Sequence, residues 1–196
     1  MSNTNPFFIK IAYSFHPDKI ELSSYLKIKE SRQDLLEVLK STDEYNKFSK
    51  PVLKQMELFA AKCELVIYKK DRSVYLGKFY NYIQKYKDIF HPDIVKQTKG
   101  VSLFLLIVAL QDAIKEGFVR NDSKISLDAA GTIDGKDMFG LVQYYNSIGL
   151  NLIAPFDKTK LVHPMSGVVG NVLTRSLGKV NMPPFIQEVH AMMDGL

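Results

Sequence analysis

Six residues, Gln97-Thr98-Lys99-Gly100-Val101-Ser102, run straight into an apolar stretch over residues 103–115, and they carry the clearest chemistry in this sequence. A glycine-bearing turn that opens a helix points backbone N–H groups outward at the positive end of the helix dipole, which favours a phosphate or pyrophosphate. Lys96 and Lys99 add charge for charge-assisted contacts. The structural alternative for Gly100 is an ordinary helix-entry glycine, since short glycine motifs match by chance. A second segment, residues 135–150, reads GKDMFGLVQYYNSIGL. Met138, Leu141, Val142, Tyr145 and Ile148 fall on one helical face, and Gly149 stands just past its end. Tyr145 offers a phenol suited to general acid work, while its spacing with Leu141 and Val142 also describes a core tyrosine. Tyr144 is the neighbouring alternative, turned about a hundred degrees away on the helix.

The elements that must position these residues follow from hydrophobic periodicity. Residues 7–15 alternate like a half-buried strand, and residues 25–29 read as another short one. Ser31 and Asp34 precede Leu35, Leu36 and Leu39, giving a capped helix that ends near Lys40. After a polar linker at residues 41–47, Pro51 opens a second helix whose stripe is Leu53, Met56, Phe59, Ala60 and Cys63. Residues 64–69 and 73–83 read as strands joined at Lys70-Asp71-Arg72, and residues 86–90 as a third strand before the break at His91-Pro92-Asp93. A buried helix at residues 103–115 stops at Gly117; residues 125–130 form a strand; residues 150–154 form another after the tyrosine-bearing helix. Val168, Val169, Val172, Leu173 and Leu177 are spaced as a helix, and Pro183-Pro184 introduces a terminal one at residues 185–193. The order implies a mixed α/β (α+β) fold, a central sheet with helices on both faces.

Size and composition bound the rest. With 196 residues and 46% hydrophobic content, one domain with one sizeable core is expected. The longest apolar run, residues 101–110, falls short of the roughly 20 residues a membrane span requires, so no membrane partner is expected. Residues 1–6 lack a basic region followed by an apolar core, and the single cysteine excludes an internal disulfide and a cysteine-built zinc site. Together these point to a reducing, cytoplasmic setting. A net charge of +5 suits an anionic ligand, although lysines scattered over a solvated surface give the same total.

The two motifs in this order resemble the GCN5-related N-acetyltransferase family. That family carries a (Gln/Arg)-x-x-Gly-x-(Gly/Ala) turn before its central helix, matched by Gln97, Gly100 and Ser102, with serine in place of the last small residue. It also carries a Tyr-x-x-x-Gly-Phe pattern, matched by Tyr145, Gly149 and Leu150, with leucine for phenylalanine. The resemblance is clearest over residues 97–154. It implies an acyl-CoA N-acyltransferase-like fold with a mostly antiparallel sheet, covering residues 1–155, with residues 156–196 as an extension packed on the same domain. It further implies acetyl-CoA as cofactor, its pyrophosphate held by the backbone of Gln97, Thr98, Lys99, Gly100, Val101 and Ser102. Tyr145 would then protonate the departing thiolate, and an amine, on a small molecule or a protein, would accept the acetyl group. The strand before the turn splays in that family to admit the pantetheine arm, and here that place falls to residues 86–90. Asp88 and Asp93 lie near this strand, but neither stands out as a general base.

Other signals are weaker. His16-Pro17-Asp18 and His91-Pro92-Asp93 spell the J-domain tripeptide, yet neither lies between two antiparallel helices, and Pro and Asp are good turn formers. His16, His91, His163 and His190 lack metal-ligand spacing, so no metal is expected. Cys63 reads as a small core residue. Lysines and aromatic residues interleave over residues 68–87, which would suit single-stranded nucleic acid but describes a half-buried hairpin more simply. The rival class is therefore a non-catalytic descendant of the fold, an interaction or nucleic-acid-binding module. Residues 162–196 leave a homodimer contact, or closure over the site, open.

Overall fold

Strong alternation brings β1 (Phe7–Phe15) and β2 (Lys19–Ile28) together as an antiparallel hairpin, with Phe7 opposite Ile28 and Phe15 opposite Ile20. In the computed structural model, which describes residues 6–42, 59–130 and 138–180, β2 then pairs antiparallel with β3 (Phe59–Tyr68), and β3 with β4 (Val74–Asn81). A parallel contact joins β4 to β5 (Lys124–Ala130). β7 (Val162–Val168) pairs antiparallel with β5 along its whole length, and the two-residue β6 (Asn151–Leu152) closes the far edge. The result is a seven-stranded, mostly antiparallel sheet in the order β1-β2-β3-β4-β5-β7-β6, within a mixed α/β fold.

The helices are α1 (Gln33–Lys40), the single turn α2 (Tyr82–Lys85), α3 (Pro92–Gln97), α4 (Val101–Lys115), α5 (Met138–Ser147) and α6 (Val169–Leu177). Ten of the fifteen residues of α4 are buried, because it lies across β2, β3 and β4 and is flanked by α6. Leu105 and Leu106 have no exposed surface, and side chains of this kind contribute roughly 1.5 to 3 kcal/mol each when fully buried. Where β2 meets α4, the buried Ser24 hydroxyl is satisfied by donating to the Leu105 carbonyl at 2.8 Å. Farther along, the Tyr13 hydroxyl on β1 donates to the Asp112 carboxylate on α4, and burial followed by that carboxylate holds the phenol well above its ordinary range. At the end of α4, Gly117 takes φ +72° and the Phe118 N–H returns to the Ala113 carbonyl at 3.0 Å. Only glycine adopts that turn without strain.

Several expectations are corrected here. Phe59, Ala60 and Cys63 belong to a strand, not a helix; Phe59, Ala60 and Ala61 are buried in succession at its start, which breaks the alternation there and lets Phe59, Ala60 and Cys63 mimic a helical stripe. The rest of that expected helix, most of the 41–47 linker and the terminal helix at 185–193 lie outside the described residues. Residues 86–90 are not a strand: they hold a 3-10 turn, Lys87–Ile89, between α2 and α3. The short strand expected at residues 25–29 is the end of the longer β2, and β7 fills the sheet where the sequence offered no strand signal.

Candidate functional site

The feature that organises the site is a wedge between two parallel strands. β4 and β5 are paired only at Val74 with Ile125 and Tyr75 with Ser126, yet β4 continues to Asn81 and β5 to Ala130. Two causes hold the strands apart. Leu65 faces Leu76 while Glu64 faces Lys78, so Gly77 is an extra residue in β4, and a bulge of this kind bends its strand. On the other side, β5 is held by seven pairs with β7. At the closed end the Tyr75 hydroxyl donates to the Asp128 carboxylate at 3.2 Å. Beyond it, the facing edges of Leu76–Asn81 and Leu127–Ala130 are not hydrogen-bonded to each other, leaving backbone donors and acceptors for a guest.

Phe79 pairs with Cys63 on the face that α4 covers, and from the other strand's side α5 brings two tyrosines to it. The ring of Tyr145 is centred 6.3 Å from that of Phe79, and the ring of Tyr144 lies 6.4 Å from it. Tyr145 is 9% exposed and Tyr144 38%. Burial pushes both phenols up to about 12, with a smaller contribution from neighbours, Tyr144 and Cys63 for Tyr145 and Cys63 for Tyr144. Both therefore keep their protons at neutral pH. The Tyr-x-x-x-Gly-Leu spacing has a backbone reason: the Leu150 N–H donates to the Tyr145 carbonyl and the Gly149 N–H to that of Asn146, each at 3.0 Å, with Gly149 at φ +97°. That is a helix stop in which residue C3 is the tyrosine and the buried Leu150 folds back under it.

The turn at Gln97–Ser102 sits at the mouth of the wedge despite the excursion that precedes it. β4, not residues 86–90, is the strand before the turn; α2, the 3-10 turn and α3 come between. Asn81, the last residue of β4, ties the ends together. Its Nδ2 donates to the Thr98 carbonyl at 2.8 Å, while its Oδ1 caps α2 by accepting the Gln84 N–H at 3.1 Å. Gln84 Nε2 in turn donates to the Thr98 hydroxyl at 3.1 Å and to the Val95 carbonyl. The sequence carried a sign of this in Asn81-Tyr82-Ile83-Gln84, a cap residue followed three later by glutamine, which the strand reading of residues 73–83 concealed.

Within the turn the six candidate residues divide. Gly100 is exposed, takes φ +80° and forms the N-cap of α4; Lys99 is exposed beside it, and Ser102 is half-buried. The Thr98 and Val101 side chains are fully buried, so those residues can offer a ligand only backbone. The Thr98 carbonyl is engaged by Asn81 and by the Val101 N–H, so both of its lone pairs are occupied. Gln97 is half-buried, and its Oε1 is sealed from solvent with no hydrogen-bond partner. Ser102 and Leu103, in the first turn of α4, have no backbone acceptor for their N–H groups among the described residues.

Cys63 is fully buried and burial pushes its thiol far above the ordinary range, which leaves no thiolate for nucleophilic work. His16 meets Glu21 at 3.7 Å in the first hairpin, and His91 caps α3 by accepting the Asp93 N–H at 3.3 Å. Among the described residues no three His, Cys, Asp or Glu converge as metal ligands, and no helix is long and apolar enough to cross a membrane. No protein-family model, curated protein or solved structure matches this chain.

Proposed function

We propose that this chain is an acyl-CoA N-acyltransferase of the GCN5-related type, transferring acetyl from acetyl-CoA to an amine. The observation that carries this reading is the wedge, opening from two paired positions toward a turn of exposed backbone at Gly100 that Asn81 anchors to its mouth. A chain that only needed a continuous sheet would pair β4 and β5 throughout, because unpaired edges are costly and a liability. The residues present fit the cofactor at both ends. N–H groups at the start of α4 suit a diphosphate, and the facing edges of β4 and β5 suit an amide-bearing chain lying between them.

Acetyl-CoA supplies an activated thioester carbonyl; the protein's part is to hold and polarise it. Anchoring the phosphates at Gln97–Ser102 places the reacting carbon by remote binding energy. Free N–H groups along the wedge can accept charge developing on the carbonyl oxygen. Overall the amine nitrogen bonds the acetyl carbon, the carbon–sulfur bond breaks, and the amine's surplus proton leaves as the thiol gains one. Tyr145 is protonated throughout neutral pH, so it can donate a hydrogen bond to sulfur. With the phenol near 12 and a free thiol near 8.5, complete transfer from the tyrosine is uphill, so its main contribution is stabilisation of the departing sulfur.

The low exposure of Tyr145, 9%, favours the second reading, a non-catalytic descendant in which the tyrosine is simply core. A thermal-shift titration separates the two. At a hundredfold the dissociation constant, acetyl-CoA stabilises by about 2.7 kcal/mol, several degrees for a chain of this size. Release of free CoA thiol with a panel of amines then reads the activity. Absence of any shift at millimolar acetyl-CoA removes the transferase reading.

A further inference from the structure

We propose that the cleft built by the excursion between β4 and the turn receives the 3′-phosphate end of the coenzyme A nucleotide, making the chain selective for 3′-phosphorylated donors. This rests on the acetyltransferase reading and adds to it a determinant outside the wedge.

The cleft measures about 460 Å³, and Lys87, Asp88, Pro92, Val95, Lys96 and Lys99 form most of its wall. That volume is in the range of small-molecule sites. Three lysines face one carboxylate, an excess of positive charge at a place where the ligand would be most anionic. Several lysines elsewhere are tied up, Lys19 with Glu21 at 2.6 Å, Lys40 with Glu37 at 2.8 Å and Lys62 with Glu64 at 2.9 Å. Lys87, Lys96 and Lys99 are all exposed, and among the described residues none of them forms an ion pair.

Position matters as much as charge. Lys99 is both a wall of the cleft and the neighbour of Gly100, so the cleft begins where the diphosphate seat ends. In coenzyme A one ribose separates the diphosphate from the 3′-phosphate, a short step that a cleft adjoining the turn can cover. Lys96 and Lys99 lie three residues apart across the end of α3, and Lys87 approaches from the 3-10 turn. Pro92 and Val95 give the same cleft an apolar wall on which an adenine can rest. Gln84 fixes this wall to the turn by donating to both the Val95 carbonyl and the Thr98 hydroxyl.

Isothermal titration with coenzyme A and with dephospho-coenzyme A tests the assignment. Wild-type protein should bind coenzyme A roughly tenfold more tightly, the effect of one or two charge-assisted contacts to a phosphate. Raising the salt should shrink the difference. Lys87→Ala with Lys96→Ala, both surface changes, should bring the two ligands to nearly equal affinity while the protein melts normally. Equal affinity in the wild type overturns the 3′-phosphate site and leaves the transferase reading standing. A preference that survives the double substitution overturns the location. If neither ligand binds, both readings fall together.

Discussion

Asn81 Nδ2 and the Thr98 carbonyl, 2.8 Å apart, join the last residue of a strand to a turn that the chain reaches only after two helices. This bond converts a remote segment into the lip of the wedge. Asn81→Ala removes both that donor and the cap of α2. It should cost about 1 to 2 kcal/mol of stability and weaken acetyl-CoA binding roughly tenfold, because the turn's N–H groups lose their fixed position. Chemical denaturation and titration calorimetry measure the two effects separately. Unchanged affinity would mean that the turn holds its shape without Asn81.

Gly100 carries two roles that substitution can separate. At φ +80° any side chain strains the backbone by about 1 to 2 kcal/mol, so Gly100→Ala should lower the melting temperature by several degrees. Gly100→Glu adds the same strain and places an anion in the seat. It should melt like the alanine variant but lose acetyl-CoA binding by a hundredfold or so, two charges of like sign meeting near the surface. Equal binding by the two variants would put the phosphates elsewhere.

The fold was legible where local chemistry and packing agreed. The Leu-rich α4, the stop at Gly117, the first strand and the helix ending at Gly149 all follow from short-range pattern. Legibility failed where tertiary cover erased the pattern. β3 is buried at Phe59, Ala60 and Ala61 in succession, and such a run looks no more like a strand than like a helix. β7 contains Pro164 and Gly167, both poor strand residues, and it is held as a strand by its pairing with β5. The site divides similarly. Gly100 and Tyr145 stand out in the sequence, but the wedge depends on a register shift at Gly77, which no spacing of residues reveals.

Tyr145 and Tyr144 meet the same phenylalanine, so the two must be told apart by function. Tyr145→Phe should leave acetyl-CoA affinity intact and slow turnover by roughly ten- to a thousandfold, whereas Tyr144→Phe, at the exposed position, should do little. Stability offers a second readout. Burial raises the Tyr145 phenol from its ordinary 10 to about 12, so the folded form holds that proton more tightly than the unfolded chain. Its contribution is complete below pH 10 and is lost as the pH rises through about 12, by roughly 2 to 3 kcal/mol at most. Urea unfolding at pH 9 and again near pH 11.5 should therefore show a smaller alkaline loss for Tyr145→Phe than for wild type. Identical losses would mean that the phenol is as solvated in the folded chain as in the unfolded one.

The stop after Tyr145 also depends on a close approach between two glycines. A Cβ on Gly167 of β7 would lie 2.4 Å from the Gly149 carbonyl oxygen, a backbone clash that cannot be relieved without moving the end of α5. Gly167→Ala should therefore destabilise by about 1 to 3 kcal/mol, lowering the melting temperature by several degrees. Because the Leu150 N–H holds the Tyr145 carbonyl, displacement of that end should also reduce turnover. Gly77→Ala is the matched comparison: its new methyl would meet nothing nearer than the Glu64 carbonyl at 3.7 Å, and its backbone has no positive φ. It should melt within about 0.5 kcal/mol of wild type. If both alanines are tolerated alike, the contact between Gly149 and Gly167 is looser than drawn, and the helix stop alone must hold Tyr145 against Phe79.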